Sequence, residues 1–131
     1  MNILVADDDP VQSRLLEKHL TGRGFKVQIA FDASTAWEKV QKERPDAILL
    51  DLLMPGGTGL GLLKKRNGSS SHRNLPVIVI TAVEDPLVLR MVEQSGVVSI
   101  MPKPVDLMLL DVTLESVRSS LPAKPAMTPG R

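Results

Sequence analysis

The 131 residues suit one domain and leave little room for two. Sixteen Lys+Arg against fifteen Asp+Glu leave no basic excess for nucleic acid, aromatics at 2% offer no base-stacking platform, and the lack of cysteine excludes disulfides and thiolate metal sites. No apolar run approaches the roughly 20 residues of a membrane span. Asp7-Asp8-Asp9 comes too soon after Met1 for a signal peptide, so a cytoplasmic location off the membrane is expected.

Ile3 to Ala6 is a short apolar run bounded by acids, and residues 10–22 carry Val11, Leu15, Leu16 and Leu20 at helical spacing. Pro10 suits the first turn of that helix and Asp9 its N-cap. Lys26 to Ala30 alternates polar and apolar, the pattern of a strand with one wetter face. Ala33 to Lys42 carries Ala36, Trp37 and Val40 on one helical face. Ala47 to Leu50 is a second solid apolar run. Residues 55–61, rich in glycine after Pro55, read as a loop entering a helix through Leu62-Leu63, and 67–74 (NGSSSHRN) as a flexible loop. Val77 to Ile80 is a third solid run, Leu87 to Gln94 a helix stopped by Gly96, Val97 to Met101 a strand, and Asp106 to Leu121 the last helix. Residues 1–121 thus form the domain, and 122–131, with three prolines and no periodicity, read as a disordered tail or the start of a linker.

Five β-α units imply a parallel sheet covered on both faces, and the three solid apolar runs fit strands buried on both sides. The residues just past the strands are then informative. The first strand ends into Asp7-Asp8, the third into Asp51, the fourth into Thr81, the fifth into Lys103. In an open parallel sheet these positions share the rim at the carboxyl ends of the strands, where ligands bind. Three carboxylates together must either take up protons or be neutralised by a cation, and oxygen donors without His or Cys favour Mg²⁺ or a similar ion. A carboxylate beside such an ion suits phosphoryl chemistry, with Lys103 and Thr81 available to phosphoryl oxygens. Each residue also has a plainer reading: acids at a helix start, a turn Asp, a strand-end Thr, a surface Lys. Joint placement on one rim is what sets those aside.

The segments Ile3-Leu-Val-Ala-Asp-Asp-Asp9, Ala47-Ile-Leu-Leu-Asp-Leu-Leu-Met-Pro55, Val77-Ile-Val-Ile-Thr-Ala82 and Met101-Pro-Lys-Pro104 together resemble the receiver domain of bacterial two-component response regulators. The resemblance covers residues 2 to about 120. It implies a flavodoxin-like (βα)5 fold, doubly wound around a parallel five-stranded sheet of order 2-1-3-4-5. It implies Asp51 as phosphoacceptor, Mg²⁺ held by Asp8, Asp51 and the Leu53 main-chain carbonyl, Asp7 acting through a water, and Thr81 and Lys103 contacting the phosphoryl group. Ala82 leaves room for Thr81 to move, and the Lys103–Pro104 peptide is expected cis. The donor is a sensor histidine kinase or a histidine phosphotransfer protein, and the 84–121 face passes the state to a downstream protein or effector domain, with a homodimer also open. Nothing beyond self-phosphorylation and self-dephosphorylation is expected of it as an enzyme.

The sequence departs from the family at three places. Ile100 replaces a usual aromatic, so aromatic-linked switching cannot operate in that form; Val105 replaces a usual Phe; Thr58 stands where Asp or Ser is common. Leu53 and Val83, which tune water access in the family, are apolar, so slow self-dephosphorylation is expected. A Mg²⁺-dependent aspartyl-phosphate hydrolase is the main alternative, but it wants an acid two residues past the nucleophile, where Leu53 stands. A degenerate receiver used only for docking is the other, and the full set of site residues speaks against it. The chain reads either as a stand-alone receiver or as the receiver part of a longer regulator. His19 and His72 are expected at the plain surface, and Lys64-Lys65-Arg66 as a solvated helix end whose cations suit the dipole.

Overall fold

The computed structural model describes residues 1–54 and 58–121. The Pro55-Gly56-Gly57 part of the expected loop and the 122–131 tail lie outside the described residues. Ten elements alternate: β1 (Asn2–Ala6), α1 (Pro10–Gly22), β2 (Lys26–Ala30), α2 (Ala33–Lys42), β3 (Ala47–Leu50), α3 (Gly59–Asn67), β4 (Val77–Thr81), α4 (Pro86–Gln94), β5 (Ser99–Pro102) and α5 (Leu107–Ser120). The five strands run parallel in the order β2-β1-β3-β4-β5.

Side chains alternate across a strand, so β1, β3 and β4 feed two cores. Leu4, Ala6, Ile48, Leu50, Val77 and Val79 meet α2, α3 and α4 on one face; Ile3, Val5, Leu49, Ile78 and Ile80 meet α1 and α5 on the other. Every residue of β3 and β4 is buried, as the solid apolar runs imply. β2 is an edge strand with Lys26 and Gln28 exposed, which explains its alternating pattern.

Helix starts are set by side-chain capping. Asp9 accepts from Val11 N, Thr58 from Gly61 N, Asp85 from Leu87 N and Asp106 from Leu109 N. Asp106 is therefore the cap, and α5 begins one residue later than its sequence pattern suggests. β5 pairs from Ser99 rather than Val97, because Gly96, at φ +79, first turns the chain out of α4, a backbone angle that favours glycine. In α1 the buried residues are Ser13, Leu16 and Leu20, while Val11 and Leu15 fall on the neighbouring stripe and face outward.

Two further sequence expectations need correction. Arg66 is buried rather than solvated: α3 turns it inward with Leu62 and Leu63, and its donors reach carbonyls of Leu75, Ser95 and Gly96. His19 and His72 are half-buried and bonded. His19 sits 2.8 Å from Asp111 of α5, and His72 meets Ser69 at 2.7 Å and the Trp37 ring edge-on at 5.3 Å. Past α3, residues 68–74 form the expected loop, in which His72 N and Arg73 N donate to Ser69 O.

Candidate phosphoryl and metal site

The register builds the site. Ala6 pairs with Leu50, so the next residues, Asp7 and Asp51, leave neighbouring strands side by side; Asp51 N donates to Ala6 O. On the other flank Thr81 pairs with Pro102, and Lys103 N donates to Thr81 O at 3.1 Å. The Lys103–Pro104 peptide is cis.

The Lys103 ammonium donates to Asp7 Oδ2 and to Asp51 Oδ2, both at 3.0 Å. Burial by itself would push this lysine's pKa down, but hydrogen bonds and charge attraction from Asp7 and Asp51 outweigh it and raise it above the ordinary value. Both carboxylates are otherwise oriented by backbone: Asp7 Oδ1 accepts from Asp9 N at 2.9 Å, and Asp51 Oδ1 from Leu53 N at 3.2 Å. Asp7 and Asp51 are buried, whereas Asp8 is exposed. Asp7, Asp8 and Asp51 each bring one carboxylate oxygen within 4.8 Å of the others. Against these three formal negative charges the structure sets one ammonium, so the rim carries an excess of negative charge that a divalent cation would neutralise.

The other sequence-derived residues surround this cluster without joining it. Thr81 is buried at the end of β4, and its hydroxyl accepts from Val83 N at 3.1 Å rather than meeting the carboxylates. Leu53 is 59% exposed, Ala82 is exposed, and Val83 packs partly buried against the core under α4. Ile100, beside Val79 in β5, is partly buried and lines a cleft of about 240 Å³ with Thr81, Val83, Leu89 and Glu93.

Two supporting residues escape a sequence reading. Gly59 begins α3 against the back of the Asp51 loop, where a Cβ would meet Asp51 O at 2.5 Å and Leu52 Cα at 2.7 Å. Only the missing side chain lets Gly59 N reach Leu52 O at 3.0 Å. Ser13, fully buried, donates to Asp7 O at 3.1 Å and fixes the chain behind that carboxylate. Its signal is positional: a polar residue on the α1 face shared by Leu16 and Leu20.

Comparison with known proteins points one way. Residues 3–117 match the model of the response regulator receiver domain. Over 115 residues the chain is 35% identical to response regulator PleD of Caulobacter vibrioides, covering 88% of this chain and 25% of PleD. It is 34% identical over 102 residues to the DNA-binding response regulator MtrA of Mycolicibacterium smegmatis, covering 78% of this chain and 43% of MtrA. The chain thus spans less than half the length of these relatives. The signal receiver domain of a histidine kinase from Syntrophus aciditrophicus superposes with a TM-score of 0.86 at 25% identity, over 99% of this chain and 98% of that one. Among the described residues no helix is long and apolar enough to cross a membrane.

Proposed function

We propose the function on one premise: this chain belongs to the response regulator receiver domain family of two-component signalling. Asp51 is the phosphoacceptor. One of its carboxylate oxygens attacks the phosphorus of a phosphohistidine on a sensor kinase or phosphotransfer protein. The P–N bond breaks, its electron pair returns to the imidazole, which takes a proton from solvent, and Asp51 is left as an acyl phosphate. The observation that carries this reading is the Lys103 ammonium bridging Asp7 and Asp51 at 3.0 Å each. It holds the acceptor in place and stands ready to pair with a phosphoryl oxygen.

The donor set suits Mg²⁺, since it offers hard carboxylate oxygens and neither nitrogen nor sulfur. Asp8, Asp51 and the Leu53 carbonyl would hold the ion, with Asp7 reaching it through a water. When bound, it would neutralise oxygens on both acceptor and incoming group. Thr81, whose hydroxyl accepts from Val83 N, would offer its O–H to a phosphoryl oxygen, which links the site to the chain entering α4. The 84–121 face then passes the state to a downstream protein or to an effector domain in a longer chain. Asp51 is the only group turned over, so the domain acts as a switch and not as an enzyme on other substrates.

Incubation with a small phosphodonor such as acetyl phosphate and Mg²⁺, then measurement of intact mass, tests the proposal. The wild type is expected to gain one phosphoryl group and Asp51→Ala none. An equal gain in the variant would place the acceptor elsewhere.

A further inference from the structure

Arg66 is the one buried cation in the core layers of the described residues that no carboxylate accompanies. All its hydrogen bonds run to neutral oxygens. Nε donates to Leu75 O at 2.9 Å, Nη1 to Asn67 Oδ1 at 2.7 Å and Ser95 O at 3.0 Å, and Nη2 to Gly96 O at 3.2 Å. Ser95 and Gly96 close α4, and Leu75 leads into β4. One guanidinium therefore ties the last turn of α3, the entrance of β4 and the C-terminal end of α4. The planar guanidinium, with five donors in fixed directions, reaches several carbonyls at once.

The opposite end of α4 is held differently. Among the described residues, the hydrogen bonds of residues 84–94 stay within the helix and its caps. Of the nine residues of α4 only Val92, in its last turn, is buried; Pro86 and Leu87 at its start are exposed. The cleft of about 240 Å³ lies between Leu89 and Glu93 of this helix and Ile100 of β5, and Thr81 lines it as well. The helix has empty volume under its face toward β5, only the partly buried Val88 and Leu89 to hold its first turn, and a clamp at its end.

We propose that Arg66 is the fixed end of a hinge, pinning the C-terminal end of α4 so that the helix moves at its N-terminal end, over the cleft. The idea rests on Thr81 as the residue that responds to Asp51, and it assigns Ile100 the floor of the cleft into which α4 settles. A small side chain at 100 leaves that volume free, so the movement needs no aromatic to rotate.

Hydrogen exchange read by mass spectrometry tests the hinge in the free protein first. Amides of residues 92–98 are expected to exchange at least about tenfold more slowly than those of 84–90. In Arg66→Met this difference should collapse, while α1 and α5 keep their wild-type exchange. A difference that persists in the variant, or a parallel acceleration of α1 and α5, would overturn the proposal. A second arm uses the wild type alone and so does not depend on the variant folding. With Mg²⁺ and beryllofluoride as a phosphoryl mimic, exchange should change in 82–90 and not in 92–98; a change in 92–98 would overturn the hinge. A failure of beryllofluoride to protect the peptide containing Asp51 would instead count against the functional reading, and the free-protein gradient would then judge the hinge by itself.

Discussion

α4 and α5 flank the same strand, β5, on opposite faces of the sheet, yet they are held by different means. α5 buries Leu110, Leu114 and Val117, and it is tied to α1 and the turn after it through the Asp111 pair with His19 and Arg23 and the Arg118 guanidinium over the Phe25 ring. α4 buries Val92, leaves Leu87 and Met91 outward, and leans on one arginine at one end. Both helices lie beside the strand that delivers Lys103. The difference is that one helix beside the site is tied on several sides, while the other is held mainly at its C-terminal end. Local stability within a fold is uneven, and moving elements are drawn from its weaker end.

The largest expected effect separates the two helices directly. Leu114→Ala should cost about 2–5 kcal/mol in denaturant unfolding, because a fully buried leucine leaves a cavity. Leu87→Ala, 71% exposed, should stay within about 0.5 kcal/mol. Comparable losses would break the comparison. Next comes the floor of the site. Gly59→Ala forces a Cβ into the Asp51 and Leu52 backbone, and should cost about 1–3 kcal/mol and slow labelling from acetyl phosphate. Unchanged stability and rate would show that α3 can back away freely.

A third expectation concerns only the two apolar residues that flank the site. Leu53 and Val83 cannot hold an attacking water by hydrogen bonds, so the Leu53→Asn, Val83→Glu double variant should shorten the acyl-phosphate lifetime about tenfold, a barrier change of about 1.4 kcal/mol. Equal lifetimes would sink that reading. The smallest effect lies far from both helices and serves as a control. Asp32 caps α2 through Thr35, whose backbone and hydroxyl bonds hold its pKa below the ordinary 3.8. A depressed pKa adds stability above that value and loses it as pH falls through the lower folded one. Asp32→Asn should therefore flatten the unfolding profile below pH 3.8 slightly, without altering exchange in α4.

Much of this was legible in the order of the residues alone. The solid apolar runs of β1, β3 and β4 announce strands buried on both faces, and period-two alternation in Lys26–Ala30 announces an edge. Strand ends running into Asp7, Asp51, Thr81 and Lys103 place them on one rim, and four of the expected residues, Asp7, Asp8, Asp51 and Lys103, do cluster there. The rest depended on partners remote in sequence. Arg66 looks solvated beside Lys64 and Lys65, and its burial rests on carbonyls about thirty residues on. Helical spacing from Leu62 and Leu63 is the trace that could have flagged it. His19 gives no hint of Asp111, since that contact joins helices 92 positions apart. Gly59 is one glycine in a glycine-rich loop until the backbone of Asp51 is seen against it.

The central claim is that Asp51, one of the two carboxylates bridged by Lys103, is the one that takes the phosphoryl group, with a divalent ion required. Reduction of the labelled protein with borohydride converts an aspartyl phosphate to homoserine, and peptide sequencing by mass then locates it. The account expects homoserine at position 51 and nowhere else, and none when Mg²⁺ is removed with a chelator before labelling. Homoserine at Asp7 or Asp8, or undiminished conversion of Asp51 under chelation, would contradict it.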